Sequence, residues 1–329
     1  MISDNAASSP GPAAQQAPSN LPIPVVDFAA FQQGNEATKR AIAQQVQQAC
    51  QNVGFLYLKH HGIAPELVER LFRQAKAFFK LPLAIKNQIP WTTPECNCGY
   101  IPMQTQHLDP TGAADLMEAY NIGLRQPGAD AKWLPEQTEL NQALLEFYQA
   151  GGEVCGQVMQ AFALAFDLPE THFDAQHDSH YSTVRLLHYP AVAKDIEPGT
   201  IRAGAHSDYG TITLLFQDDV GGLEIWHDGS WTPAPYIPGT VVVNTGDLME
   251  RWTNNSFRST KHRVVVLPWP AAVRSRYSMT FFYRPNIDAE VVCLQPCHSP
   301  QQPALYPPTT TREHLISCLR NSYQLGNEE

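Results

Sequence analysis

Basic residues are scarce in this sequence of 329 residues. It has 22 Lys and Arg against 32 Asp and Glu, which gives a formal net charge of -10 at pH 7. Proteins that bind nucleic acid or anionic membranes present a basic surface to them. We therefore expect neither nucleic acid nor a membrane among the partners of this protein.

Long apolar stretches and targeting signals are also missing. No run of about 18 apolar residues is present, as a transmembrane helix would require. Residues 1–20 are rich in Ala, Ser, Gln and Pro and contain no Lys or Arg. They lack the charged start of a secretory signal and the Arg-rich character of a mitochondrial one. We predict that residues 1–20 form a disordered tail.

The cysteines lack the dense, even-numbered pattern of a disulfide framework. The chain has 7 cysteines, which in a protein of this size indicates reduced thiols and a cytoplasmic location. Cys96 and Cys98 resemble half of a zinc site, but no second Cys or His pair stands at ligand spacing. We interpret them as unpaired thiols in a loop.

Helical periodicity dominates the first half of the chain. Apolar residues recur every three or four positions near 42–53, 67–79 and 140–166, which predicts three helices. The pair Gly151-Gly152 is expected to kink or divide the third. Residues 23–28 and 54–58 are typical of strands, and 312–323 of a final helix.

From residue 183 to 292 short apolar runs replace the helical pattern. Gly, Pro, Asn and Asp separate them, which is typical of a β-sandwich or barrel. We predict a mainly β fold with helices, in which residues 21–175 form a helical or mixed layer on a barrel of residues 176–300. Residues 301–329 would add a C-terminal helix and tail. The predicted strands are Val184–Tyr189, Thr211–Phe216, Leu223–Trp226, Thr240–Val243, Val264–Leu267 and Tyr277–Tyr283.

One short motif points to a metal. His206 and Asp208 are two positions apart after an alternating segment, so both side chains would project from the same side of a strand. His262, at the start of a later strand, would complete two histidines and one carboxylate, the ligand set of non-haem Fe(II) oxygenases. His107 and Asp109 have the same spacing but lie in a polar segment, so we do not expect a metal there.

The surroundings of this motif resemble the isopenicillin N synthase-like family of Fe(II)/2-oxoglutarate-dependent dioxygenases. The resemblance extends over roughly residues 22–320 and implies a double-stranded β-helix, or jelly-roll, barrel. The motifs that carry it are Ile23-Pro24-Val25-Val26-Asp27, Gly54-Phe55, His61-Gly62-Ile63, Phe78-Phe79-Lys80-Leu81-Pro82, Tyr189-Pro190, Gly221-Gly222-Leu223-Glu224-Ile225, Val242-Val243-Asn244-Thr245-Gly246-Asp247, Arg251-Trp252-Thr253-Asn254, Phe257-Arg258-Ser259-Thr260-Lys261-His262-Arg263-Val264 and Arg276-Tyr277-Ser278.

The resemblance also implies the chemistry. His206, Asp208 and His262 would hold Fe(II), 2-oxoglutarate would chelate it, and dioxygen would oxidise a small-molecule substrate by hydroxylation or desaturation, with succinate and CO2 as co-products. Ascorbate would serve as reductant. The far carboxylate of 2-oxoglutarate needs a counter-charge, which a guanidinium supplies through two parallel hydrogen bonds. Arg276 and Ser278 face the same way on a strand and fit this role, with Tyr189 as a further contact.

Several alternatives stay open at the level of sequence. An isopenicillin N synthase-like or ethylene-forming oxidase would not use 2-oxoglutarate in the usual way, and a non-catalytic iron and 2-oxoglutarate sensor would have lost turnover. Arg274 competes with Arg276 for the cosubstrate. We expect a monomer. Candidates for lining the substrate pocket, although a structural role is favoured for each, are the region Gly99–Tyr120, with Tyr100, Met103, Glu118 and Tyr120, and the strand Phe281-Phe282-Tyr283.

Overall fold

The computed structural model describes residues 22–109, 111–124, 132–179, 181–193 and 200–325. The helices are α1 (Ala29–Gln33), α2 (Glu36–Asn52), α3 (Pro65–Phe79), α4 (Leu83–Lys86), α5 (Thr138–Ala165), α6 (Asp174–His177), α7 (Asp247–Trp252) and α8 (Thr311–Ser322). The strands are β1 (Val25–Asp27), β2 (Phe55–Lys59), β3 (Gly99–Ile101), β4 (Glu118–Ile122), β5 (Thr183–Tyr189), β6 (Ile201–His206), β7 (Ile212–Gln217), β8 (Leu223–His227), β9 (Ser230–Pro233), β10 (Thr240–Thr245), β11 (His262–Val265), β12 (Arg276–Tyr283), β13 (Glu290–Val291) and β14 (Thr309–Thr310).

Two sheets face each other to form the jelly-roll core. The larger has eight strands in the order β1-β2-β10-β7-β12-β5-β4-β3, and the smaller has four in the order β6-β11-β8-β9. Pairing is antiparallel except between β1 and β2. The predicted fold class, a jelly-roll barrel with an N-terminal helical layer, is confirmed.

Alternation along the strands of the large sheet divides its side chains between two apolar cores. On β10, Val241 and Val243 pack in the core shared with the helices, whereas Val242 lies in the core between the sheets. Leu186 and Leu187 on β5 divide in the same way. Because successive side chains of a strand point to opposite faces, one sheet supports the helical layer and lines a pocket at once.

The helical layer consists mainly of α2, α3 and α5. α5 runs unbroken for 28 residues through Gly151 and Gly152, so the glycine pair does not divide it. A Cβ at Gly151 would lie 2.7 Å from the ring of Phe281 on β12. The glycine is therefore required for the close approach of α5 to the sheet.

The predicted helices and strands are present with small shifts of their ends. The apolar pattern of the sequence did not predict β3 and β4, which extend the large sheet beyond β5. The proposed division at residue 175 crosses a continuous sheet, because β2 pairs with β10. The domain boundaries stay predictions, and the tail over residues 1–20 lies outside the described residues. No helix in the part of the chain that the structure describes is long and apolar enough to span a bilayer.

Candidate active site

The three residues singled out by the His-x-Asp motif converge between the two sheets. His206 ends β6 and His262 begins β11, and the two residues are directly opposed in the antiparallel pairing of these strands. Asp208 lies just beyond the end of β6, not within the strand as its spacing suggested. One ligand atom from each of the three side chains lies within 4.8 Å of the other two.

Backbone carbonyls orient both imidazoles. Nδ1 of His206 donates to the carbonyl of Gly204 at 2.8 Å, and Nδ1 of His262 donates to that of Thr260 at 3.2 Å. A carbonyl can only accept, so Nδ1 carries the proton in each ring and Nε2 keeps its lone pair. This is the tautomer that a metal requires.

The electrostatics of the cluster favour a neutral His206 and an ionised Asp208. Burial, assisted by the neighbouring His262, lowers the pKa of His206 to about 4. Burial by itself raises the pKa of Asp208, but the two imidazoles and hydrogen bonds from Asn244 and Thr213 outweigh it and lower the pKa overall. Two imidazole nitrogens and one carboxylate oxygen on one side suit a divalent cation.

Arg276 is a buried cation on the same wall of the pocket. Its side chain is fully enclosed, with Nη1 donating to Oγ of Ser278 at 3.2 Å and Nη2 to Oε1 of Gln217 at 3.1 Å. Its Nε has no partner among the described residues. Asp218 is nearby, but its two carboxylate oxygens accept the backbone N–H groups of Tyr277 and Val220. Arg276 is thus available to an anion that enters the pocket.

The other two residues considered for binding 2-oxoglutarate lie in different environments. Tyr189 is directly opposite Arg276 in the β5–β12 pairing, and the guanidinium carbon of Arg276 lies 4.9 Å from its ring centre. Arg274 is exposed and pairs with Asp219 at 2.6 Å. Arg274 does not line the pocket, whereas Arg276 does.

Most of the remaining pocket residues were not predicted from the sequence. The walls combine amides and guanidiniums with apolar side chains. The residues that the sequence did not identify include Asn97, Asn121, Arg185, Tyr209, Thr213, Asn244, Arg284, Leu315 and Leu319, whereas Gln106, Leu108 and Met117 lie in the predicted region Gly99–Tyr120.

The predicted pocket candidates mostly face the other way. Glu118 lies on the helical side of the large sheet, where it accepts from Nζ of Lys86 at 2.6 Å, the hydroxyl of Tyr100 at 2.5 Å and Nδ1 of His188 at 2.7 Å. Tyr120 belongs to the same apolar core as the helices. Of the candidates named individually, only Phe282 lines the pocket in the described chain, so the favoured structural role fits the others.

Two further sets of side chains carry potential metal ligands. His107 and Asp109 belong to no group of three potential ligands among the described residues. A second such group joins α7 to α8: His314 lies 3.5 Å from Oδ2 of Asp247 and 3.7 Å from Sγ of Cys318. These side chains contact one another and hold α8 next to α7. All seven cysteines are free.

A jelly-roll barrel that encloses two imidazoles and one carboxylate on one side has the architecture of non-haem Fe(II) oxygenases. Two family models match the chain. Residues 23–143 match "non-haem dioxygenase in morphine synthesis N-terminal", and residues 180–285 match "2OG-Fe(II) oxygenase superfamily".

Curated relatives extend the likeness over nearly the whole chain. The "2-oxoglutarate-Fe(II) type oxidoreductase hxnY" of Emericella nidulans is 34% identical over 91% of this chain and 90% of its own. The "Proline hydroxylase buaE" of Petromyces alliaceus is 33% identical over 91% and 97%. The chain belongs to the 2OG-Fe(II) oxygenase superfamily.

Solved structures agree in fold. A full-length Neurospora crassa protein in complex with alpha-KG (2-oxoglutarate) and thymine is 34% identical, with a TM-score of 0.84 over 90% of this chain and 96% of that one. A putative 2OG-Fe(II) oxygenase family protein from Caulobacter crescentus is 32% identical, with a TM-score of 0.80 over 91% and 98%.

Membership in this family settles the reaction class. The protein is a 2-oxoglutarate-dependent oxygenase with Fe(II) and 2-oxoglutarate as cofactor and cosubstrate, and it acts on a small molecule. The reading that uses 2-oxoglutarate is thereby supported over the isopenicillin N synthase-like and ethylene-forming alternatives.

Proposed function

We propose that His206, Asp208 and His262 hold the Fe(II) with which this protein hydroxylates or desaturates its substrate. The observation that carries the proposal is the convergence of the three ligand atoms to within 4.8 Å between the sheets. The Nδ1 protons donated to backbone carbonyls leave both Nε2 atoms free to ligate. Iron bound there would activate dioxygen, with 2-oxoglutarate supplying two electrons as it is converted to succinate and CO2.

Arg276 and Ser278 are proposed to bind the far carboxylate of 2-oxoglutarate, with Tyr189 beside them. Support comes from the burial of Arg276 without a carboxylate partner among the described residues and from its unpartnered Nε. A buried guanidinium without an anion is costly, and a ligand carboxylate removes that cost. Gln217 would fix the plane of the guanidinium through Oε1.

We further propose the remaining reactants, the oligomeric state and the location of the protein. Dioxygen is the third reactant, ascorbate is a reductant for the iron, and the protein acts as a monomer in the cytoplasm. The free thiols of all seven cysteines are compatible with a reducing location. The division into residues 21–175, 176–300 and 301–329 is proposed as a division of roles within one fold.

Release of succinate tests the function. Protein, Fe(II), ascorbate and labelled 2-oxoglutarate are mixed with a broad panel of small molecules, and labelled succinate is measured. We expect release from the wild type and from Asp219→Ala, whose carboxylate is exposed, and none from Asp208→Ala. Equal release from Asp208→Ala, or no release from the wild type with any substrate, would contradict the proposal.

A further inference from the structure

Two buried arginines occupy a part of the pocket away from Arg276. Arg185 is on β5, where it pairs with Asn121 of β4 and Thr280 of β12. Arg284 follows the last residue of β12. Both line the same pocket as the metal cluster. Thr280 is four residues beyond Arg276 on one strand, about 13 Å at the usual rise, so these guanidiniums are anchored well apart from the cosubstrate arginine.

Neither guanidinium is neutralised by an acid among the described residues. Arg284 is 3% exposed, donates from Nη2 to the hydroxyl of Thr183 and packs over the ring of Tyr181 at 5.5 Å. Its Nε and Nη1 are buried without a partner in the described chain. No carboxylate of the described residues forms an ion pair with it.

Arg185 is in a similar position. It is 7% exposed, donates from Nη2 to Oε1 of Gln106, and its Nε has no partner within the described ranges. The acid that influences it is Asp115, yet both oxygens of Asp115 accept backbone N–H groups, from Leu108 at 2.9 Å and from Gly204 at 2.7 Å. Asp115 therefore fixes the backbone of the pocket wall rather than pairing with Arg185.

The neighbouring amides add a donor from Asn97 and an acceptor, Oδ1 of Asn121, that has no partner among the described residues. Oδ1 of Asn97 accepts from Nε1 of Trp91 and from Nδ2 of Asn121, each at 3.1 Å, so the acceptor of Asn97 is occupied and its amino group is left for a ligand. Apolar side chains complete this part of the pocket, namely Leu108, Met117, Phe282, Leu315 and Leu319. The site thus offers charge-bearing donors beside an apolar surface.

We propose that this end of the pocket binds a carboxylate of the primary substrate, held by Arg185 and Arg284, with the apolar body of the substrate against Leu108, Met117 and Phe282. The substrate class is therefore a small carboxylic acid. The inference rests on the proposed function, because it assigns the substrate of the same site. A guanidinium desolvated without a counter-ion is stabilised by a ligand carboxylate more than by a neutral group.

Contrast with Arg202 supports the assignment. Arg202 is also fully buried, but its Nη2 donates to the carbonyls of Pro190 at 3.3 Å and Arg274 at 2.8 Å. It does not line the pocket, and its hydrogen bonds hold two segments together. Arg185 and Arg284 donate to side chains and border the pocket, as ligand-binding groups do.

Matched acid and amide pairs test the proposal. The protein is loaded anaerobically with Fe(II) and 2-oxoglutarate, and the visible charge-transfer band of the chelate is recorded first. Binding is then measured by calorimetry for a panel of small aromatic and alicyclic carboxylic acids, for the primary carboxamide of each, and for thymine as a neutral imide. We expect at least one acid to bind at least tenfold more tightly than its carboxamide and to increase succinate release in air.

Variants of the two arginines show whether these side chains bind the acid. Arg185→Met and Arg284→Met should each weaken binding of that acid at least tenfold and leave the charge-transfer band and the 2-oxoglutarate affinity within twofold of the wild type. Arg73→Met, at an exposed position of α3, should change none of these. If Arg284→Met fails to fold by circular dichroism, Arg284→Lys keeps the charge, and partial retention of acid binding is expected.

The outcomes separate the two proposals. A wild type without the charge-transfer band contradicts the proposed function itself. A normal band with equal binding of acids and carboxamides, with binding of thymine alone, or with no acid bound overturns the carboxylate assignment only. Acid binding that survives both Arg→Met substitutions overturns it as well.

Discussion

The side-chain amide of Asn244 donates to Oδ2 of Asp208 at 2.6 Å. Asn244 is on β10 of the large sheet, and Asp208 follows β6 of the small one. The hydrogen bond therefore joins the two sheets at the proposed metal centre. It also occupies the oxygen of Asp208 that lies away from His262, whose Nε2 is 3.8 Å from Oδ1.

Asn244→Ala is predicted to weaken Fe(II) binding by about 10- to 100-fold, because groups that orient a metal ligand have effects of this size. Affinity is measured by anaerobic titration with Fe(II) in the presence of 2-oxoglutarate. Asn87→Ala, at an exposed position after α4, is the control and should bind as the wild type does. Unchanged Fe(II) affinity in Asn244→Ala would show that Asp208 does not need this hydrogen bond.

Arg276→Met is predicted to raise the dissociation constant of 2-oxoglutarate at least 100-fold with little change in iron content. Loss of one partner from a buried charged pair costs about 3–5 kcal/mol. Metal analysis and titration of the charge-transfer band measure the two quantities separately. Arg274→Met, two positions earlier and exposed, should bind 2-oxoglutarate normally. Equal loss of iron and 2-oxoglutarate in Arg276→Met would mean that Arg276 supports the fold instead.

The sequence revealed the proposed metal ligands because their spacing is a local property. His206 and Asp208 are two residues apart, and His262 opens a strand whose apolar pattern is plain. Arg276 and Ser278 share one face of β12 for the same reason. The pairing that brings His262 opposite His206 depends on strand order, which periodicity alone does not determine.

The sequence did not single out Arg185, Arg284 and Asn244, because the role of each depends on its contacts in the tertiary structure. Nothing in a sequence shows that a guanidinium is buried without an acid, since the acid could come from any part of the chain. β4 was missed for a related reason. It carries Glu118 and Asn121 inside the fold, and the charge of Glu118 is compensated by Lys86, 32 residues earlier in the chain.

A buried histidine should make the protein sensitive to mild acid. Burial lowers the pKa of His177 to about 4, and its ring stacks on Tyr283 with centres 4.7 Å apart. The folded pKa lies below the unfolded value of about 6.5, so folding favours the neutral ring. Its contribution to stability is complete above about pH 6.5 and is lost as the pH falls toward 4.

His177→Gln should therefore reduce the acid sensitivity. The pKa difference corresponds to about 2 kcal/mol of unfolding free energy lost between pH 7 and pH 5. In the variant, the loss of unfolding free energy between these pH values should be smaller by this amount. Urea denaturation of the metal-free protein at the two pH values measures it. His298→Gln, at an exposed position, should keep the wild-type dependence. An unchanged difference between the two pH values in His177→Gln would contradict the assignment.

The adjacent glycines of α5 provide a test of the contact between the helical layer and the barrel. A Cβ at Gly151 would lie 2.7 Å from the ring of Phe281, whereas one at Gly152 would have no atom within 4 Å. Gly151→Ala should lower the free energy of unfolding by about 1–3 kcal/mol, because it overpacks a full core. Gly152→Ala should raise it by about 0.5–1 kcal/mol, because alanine is the better helix former. Urea denaturation of the two variants measures the difference. Effects of the same sign would mean that helix propensity, not the approach of α5 to β12, determines the residue at 151.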